Sequence, residues 1–410
     1  MKHFNLFFAL LMTAFIAKAQ ETNVDLSLNP DYTNELYFKF ATNESETFPA
    51  DAWEIAFLRT DAFNFAERIN TYLGIEVYEA SNDPNDYDTI DPSDINNWTH
   101  LYNSDTDWDE GAFDQGSATY GWGEYNPSNH HITGAVVFVL KYADDTFKKF
   151  MIEDYFNGYT FKYATWDDAS SSWVDEQTVT LSNDNNPNKM FNHYSLTNNE
   201  EVVTSPDMDD WDLVFLKYET DVQGGMMYPV LGALQHPDVM VAKNSTLEVD
   251  DIDELDFSSD INTVGYDWKE LDSSYQYVIT LDNYFFLKDA NANIYRFYFT
   301  SFDGASTGDF SLAYEDVTQL LDVEEFDENN SLSIYPNPTT DRMVNLLYDT
   351  NQSDVNVAIY NLTGQKVMDR NLNTNGYNNT QLNLTNLSSG VYLLKFTAGN
   401  YETTKKIILK

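Results

Sequence analysis

Trp211-Asp212-Leu213-Val214-Phe215-Leu216-Lys217 restates Trp53-Glu54-Ile55-Ala56-Phe57-Leu58-Arg59: each run reads aromatic, acid, aliphatic, small, aromatic, aliphatic, base. Apolar residues that alternate and then run together suit a strand buried on both faces, with the base where the strand leaves the core. The flanking blocks recur in the same order. Leu36-Tyr37-Phe38-Lys39-Phe40 precedes the first copy and Met190-Phe191-Asn192-His193-Tyr194 the second. Val137 to Lys141 with Phe147 to Phe150 follows the first; Tyr284 to Lys288 with Tyr295 to Tyr298 follows the second. Glycine turns at Gly158 and at Gly304 with Gly308 then lead into Phe161-Lys162-Tyr163 and Phe310 to Tyr314. Ordered recurrence of this kind predicts a duplicated unit. The fold class expected is all-β: two tandem antiparallel β-sheet units, 20–168 and 175–321.

Within 410 residues, 42% hydrophobic and 15% aromatic content fills two or three cores. The 67 acids against 22 bases give a net charge of −45, which repels nucleic acid and anionic membrane surfaces alike. The absence of cysteine excludes disulfides, thiolate metal sites, haem thioether links, a cysteine nucleophile and a lipid-modified amino-terminal cysteine.

Residues 1–19 read as a secretory signal peptide: Lys2 and His3, the apolar run from Phe7 to Ala17, and the small-x-small site Ala17-Lys18-Ala19. That run is too short for a membrane span, and no later one is longer or more apolar. Between the paired strands of the first unit, 81–134 is polar and turn-rich. It contains Asp105-Thr106-Asp107-Trp108-Asp109-Glu110-Gly111, whose glycine falls one place late for a calcium loop, with Gly116 where the closing glutamate belongs. Gly304-Ala305-Ser306-Thr307-Gly308 has the spacing of a nucleophile elbow, but alternating residues follow it where a helix is required. It reads as a hairpin turn, and no enzyme is expected.

An acidic linker at 322–330 leads into 331–410, where Trp and His are absent and short strands alternate with turns at Gly364 and Gly390. The pattern predicts a small β-sandwich with a basic last strand, Lys405 to Lys410. Ile334-Tyr335-Pro336-Asn337-Pro338, Ile359 to Val367 with Gly364, Leu387 to Tyr392 with Gly390, and Lys405-Lys406 resemble the type A carboxy-terminal sorting domain of the Bacteroidetes type IX secretion system. That resemblance implies a partner, the type IX secretion machinery acting through 331–410. It also implies export to the outside or the outer-membrane surface, with removal of the signal peptide and sorting domain.

The two upstream units resemble the HmuY-like family, through Trp53 to Arg59, Trp211 to Tyr218, the Phe147 and Tyr295 hairpins, Asp107 to Phe113, and Tyr120-Gly121-Trp122-Gly123. The resemblance implies an all-β binding protein with haem as a possible cofactor. Noncovalent haem needs axial His or Met ligands in an apolar slot. The candidates are one of His130 or His131 from the first unit and His236 with Met226 or Met227 from the second. His130 and His131 are adjacent, so on a strand they point to opposite sides. The alternative is a glycan-contacting or adhesive surface protein, with Trp98, Trp108 and Trp122 as contact candidates beside Tyr120 and Tyr125. The same rings would equally serve to fix the loops to the sheets.

Overall fold

A computed structural model describes residues 21–59, 65–247, 255–318, 330–340, 342–361, 364–372, 376–399 and 401–410. The signal peptide, most of the acidic linker and Asp250 to Glu254 lie outside the described residues. The chain forms two compact units, Met1–Leu321 and Asp322–Lys410. It is all-β: among the described residues, helical structure is confined to short 3-10 turns.

The first unit contains two lobes of one architecture. An inner lobe is continuous in sequence. Its small sheet runs, in spatial order, Glu200–Val202, Phe191–Ser195, Ile55–Leu58, Glu67–Ile69. Its large sheet runs Ser172–Ser182, Gly158–Asp167, Phe147–Tyr155, Val137–Lys141, Glu76–Ser81, Thr99–Leu101. The outer lobe repeats the first order with Glu44–Pro49, Asn34–Lys39, Leu213–Asp221, Met227–Gln235 and the second, one strand short, with Thr22–Ser27, Asp309–Asp316, Ile294–Phe302, Tyr284–Lys288, Met240–Asn244.

The shared strand order agrees with a repeated unit, but the lobes do not follow the segments 20–168 and 175–321, because strands are exchanged between them. Leu36 pairs with Phe215, and Phe191 pairs with Leu58. The strands before the first Trp-acid motif thus complete the lobe of the second, and those before the second complete the lobe of the first. Each lobe closes over its own aromatic core. Phe57, Phe138, Phe150 and Phe161 meet in the inner one, and Phe38, Phe215, Phe285 and Phe297 in the outer.

The acid of each motif has a physical reason to recur. Asp212, almost fully buried, accepts from the Phe40 backbone N–H at 2.8 Å and pairs with Lys39 at 3.0 Å. Glu54 accepts from the N–H groups of Leu196 and Thr197 at 2.9 and 3.0 Å. Both carboxylates satisfy backbone donors where the incoming hairpin turns, which a buried strand end cannot leave unpaired.

Gly308 opens the last strand of the outer lobe at φ +76°, and a Cβ there would lie 2.1 Å from the Asn29 carbonyl oxygen. That carbonyl is backbone and cannot swing aside. Gly308→Ala is expected to cost about 2 kcal/mol in urea unfolding; an unchanged midpoint would show that the turn relaxes. Ser306, two residues earlier, sits in the 3-10 turn Gly304–Ser306, and its hydroxyl donates to the Asp303 carbonyl. Strand Asp309–Asp316 follows directly, so the glycine-serine-glycine spacing marks a hairpin turn.

The second unit is a sandwich of a three-stranded sheet (Asn330–Tyr335, Met343–Thr350, Asn378–Asn383) and a four-stranded one (Lys366–Asn371, Val355–Asn361, Gly390–Ala398, Tyr401–Leu409). Val344, Leu346, Val357, Leu394 and Phe396 fill the space between them. Asn337 ties the Tyr335-Pro336-Asn337-Pro338 segment to the last strand: its side chain donates to the Lys406 carbonyl and accepts from the Ile408 N–H at 2.9 Å. Lys405 and Lys406 stand opposite Leu394 and Leu393 on that strand. Gly364, at φ +80°, forms the turn after Val355–Asn361.

Candidate functional site

The polar 81–134 segment places its aromatic residues in two different ways. Trp122 is fully buried in the inner core against Phe65. Trp108 is buried between the lobes, where its indole N–H donates to the Gln235 carbonyl at 2.8 Å and Arg68 lies over its ring. Neither ring can stack on a sugar. Two of the expected glycan contacts are thereby replaced, because each of these large side chains gains more from burial than from the surface. Trp98 is half-buried after the turn Pro92–Asn97.

Tyr120 and Tyr125 do the opposite: they are 40% and 44% exposed, and with Phe156, at 59%, they edge a depression of about 410 Å³ in the inner lobe. Phe65, Ile132 and Tyr155 form its apolar wall, and His130 and Asn157 supply polar groups. Tyr120 and Phe65 also border a neighbouring hollow of about 360 Å³ lined by Asp109, Glu110 and Asp114. Neither lining contains Lys or Arg.

The depression is built by two hairpins. Strands Gly123–Asn126 and His131–Gly134 pair and are joined by a turn in which His130 adopts φ +65°. Its Nδ1 meets the Tyr125 hydroxyl at 2.6 Å, which orients the ring. The strand His131–Gly134 pairs in turn with Phe147–Tyr155, bringing Phe156 and the Asn157-Gly158 turn alongside. Asn157 takes φ +52° and Gly158 φ +143° there, so the chain reverses with Tyr155 inward and Phe156 outward. Phe156 and Asn157 escaped the sequence reading. An aromatic pair directly before Asn-Gly is the signal that was available, since strand alternation sends one ring to each side.

The haem-ligand candidates do not converge. His131 is not among the residues lining the depression: its Nδ1 bonds the Asp154 carboxylate at 2.8 Å and its ring stacks on Phe156 at 4.6 Å. His236 is in the other lobe, buried against Trp211 with its Nδ1 accepting from the Asp238 N–H at 3.0 Å. Burial holds its imidazole neutral, down to about 4. Met226 and Met227 stand at the start of strand Met227–Gln235 and His236 just past its end, so roughly 30 Å of extended chain separates them. His236 with either methionine therefore cannot close on one iron.

Between the lobes, Glu35, Trp53, Arg68, Trp108, Trp211 and Tyr218 enclose a cavity of about 60 Å³. That is room for a water or two, far below the roughly 300 Å³ at which small-molecule sites begin.

Residues 333–410 match the family of secretion system C-terminal sorting domains. With that domain the protein is a secreted or cell-surface one, addressed to the type IX machinery. No helix among the described residues is long and apolar enough to cross a membrane. No curated protein matches the chain. Among solved structures it is similar to a biofilm associated protein, BSP domain, at 10% identity and a TM-score of 0.16, over 62% of this chain and 60% of that one.

Proposed function

We propose that this is an exported, noncatalytic binding protein that holds a glycan chain in the aromatic depression of its inner lobe. The observation that carries the reading is the exposure of Tyr120, Tyr125 and Phe156 around one hollow, with the polar groups of His130 and Asn157 between them. Large rings are kept in water at a cost, and flat apolar faces beside hydrogen-bonding groups match the alternating C–H and hydroxyl surface of a pyranose. The volume, about 410 Å³, accommodates one to two sugar rings.

Haem, which the HmuY-like resemblance implies, is the second reading, and His130 favours it. With Nδ1 engaged by Tyr125, its Nε2 is the atom left to meet iron. Against it stands the charge of the site. Haem propionates call for cationic partners, and the hollow is flanked instead by Asp109, Glu110 and Asp114. The acidic surroundings favour a neutral or cationic ligand.

The test is affinity retention of the full chain on cellulose, chitin and xylan, run beside a haemin titration. Tyr125→Ala is expected to reduce retention about tenfold, a loss in the range of one stacked ring. A saturable Soret band abolished by His130→Ala, with no polysaccharide retention, would replace the glycan reading by the haem one.

A further inference from the structure

The large sheet of the inner lobe has a second aromatic feature at its other end. Strand Gly158–Asp167 begins beside the depression, just after Asn157, and ends at Trp166 and Asp167, roughly 30 Å further along. Trp166 stands directly opposite Trp173 on Ser172–Ser182, with ring centroids 5.1 Å apart and planes at 68°. Both indoles are half-buried. Trp173 is fixed in place: its N–H donates to the Ile90 carbonyl at 2.7 Å.

Lys149 fixes it from beneath. The side chain is 3% exposed, donates to the Tyr87 carbonyl at 2.9 Å, and lies 3.7 Å from the Tyr87 ring centroid and 5.5 Å from that of Trp173. A buried lysine within an aromatic layer costs desolvation, offset here by cation–π contact and by Asp88 at 3.6 Å. Its neighbour Lys162 also reaches the Tyr87 ring and pairs with Glu153 at 2.9 Å. Both cations are thus engaged within the lobe. In front of the tryptophans opens a hollow of about 410 Å³, in which Lys149 and its partner Asp88 form part of the lining and Asp91 and Glu176 are further exposed carboxylates.

We propose that this hollow is a second ligand site and that it takes an amino sugar, the pyranose ring stacked on Trp166 and Trp173 and its protonated amine directed to Glu176 and Asp91. Indole faces attract both the C–H face of a sugar and a cation, and the two carboxylates supply charge-assisted acceptors. The inference rests on the glycan reading above for the ligand class, while the site itself stands on the tryptophan pair and its acidic rim. Two sites at opposite ends of one sheet allow a single molecule to bridge two chains, which multiplies attachment to a polymeric surface without new contacts.

Calorimetric titration of the full chain with the hexamer of glucosamine, and with its N-acetylated counterpart, tests the proposal. The glucosamine hexamer is expected to bind with an affinity that falls as salt rises, and Trp166→Ala to weaken it about tenfold. Glu176→Gln should weaken the amine form several-fold and leave the acetylated form unchanged; it alters an exposed carboxylate and so tests the site without disturbing the hairpin. Failure of the wild-type chain to bind the glucosamine hexamer, or wild-type affinity in both variants, would overturn the proposal. The two sites separate cleanly: if Tyr125→Ala leaves polysaccharide retention intact while Trp166→Ala and Glu176→Gln lose the amine-bearing ligand, the first reading falls and this one stands.

Discussion

Arg68→Ala is expected to destabilise the first unit by about 4 kcal/mol, several times the loss that follows removal of a surface charge. Arg68 lies on strand Glu67–Ile69 and is buried. Its guanidinium donates to three backbone carbonyls, of Ser104 at 2.6 Å, Asp107 at 2.7 Å and Glu110 at 3.0 Å. Burial lowers its pKa to about 10, opposed by Asp114, Asp107, Asp105 and Asp109, so it stays charged at neutral pH. The segment it holds is the strap between the lobes. From it, Trp108 donates to Gln235, the Thr106 carbonyl accepts from the Ile261 N–H at 3.0 Å, and Asp105 accepts from the Thr220 hydroxyl. Alanine removes all three of these charge-assisted bonds and releases the strap from the inner lobe. Arg68→Lys should recover little, because an ammonium cannot fork to three fixed acceptors as a guanidinium does. Urea unfolding followed by tryptophan fluorescence measures both; a loss under about 1 kcal/mol in Arg68→Ala would mean that water replaces the guanidinium.

The same strap shows where sequence reading stops. Asp105 to Gly111 invites comparison with a calcium loop, and its spacing rules that out, but nothing in the string says that Trp108 will cross to the other lobe. That contact depends on which lobe the 34–49 hairpin joins, a choice made by long-range pairing that a repeat alone does not specify. The repeat itself was legible because both copies must fill the same buried strand position, which constrains seven consecutive residues. The depression was half legible: Tyr120 and Tyr125 are evident as loop aromatics, whereas Trp108 and Trp122 look identical to them in sequence. Polar neighbours do not decide whether a ring is inside or out; the packing of the loop does.

The second large effect is a gain. Glu35→Gln is expected to stabilise the chain by about 3 kcal/mol at pH 8.5 and by less than about 1 at pH 4.5. Glu35 is buried on strand Asn34–Lys39, beside the small cavity between the lobes, with the Tyr37 hydroxyl as a distant donor at 3.4 Å. Burial raises its pKa from 4.5 to about 8. Between those values the folded chain holds a proton that the unfolded chain releases. The stabilising contribution is therefore complete below about pH 4.5 and is lost as pH rises through about 8. A full shift of that size corresponds to roughly 5 kcal/mol, reduced here because the amide must also find partners in the cavity. The buried histidines act in the opposite sense. His193 and His236 are lowered by burial to about 3 and about 4, so protons taken up by the unfolded chain below its ordinary 6.5 destabilise the fold in acid. Wild-type stability should accordingly peak in weak acid. The difference between wild type and Glu35→Gln cancels the histidines and isolates one carboxyl. A pH series of unfolding midpoints in which the two curves run parallel would place Glu35 in contact with solvent and remove the argument; curves that diverge steadily above pH 5 would establish a protonated carboxyl at the junction of the lobes.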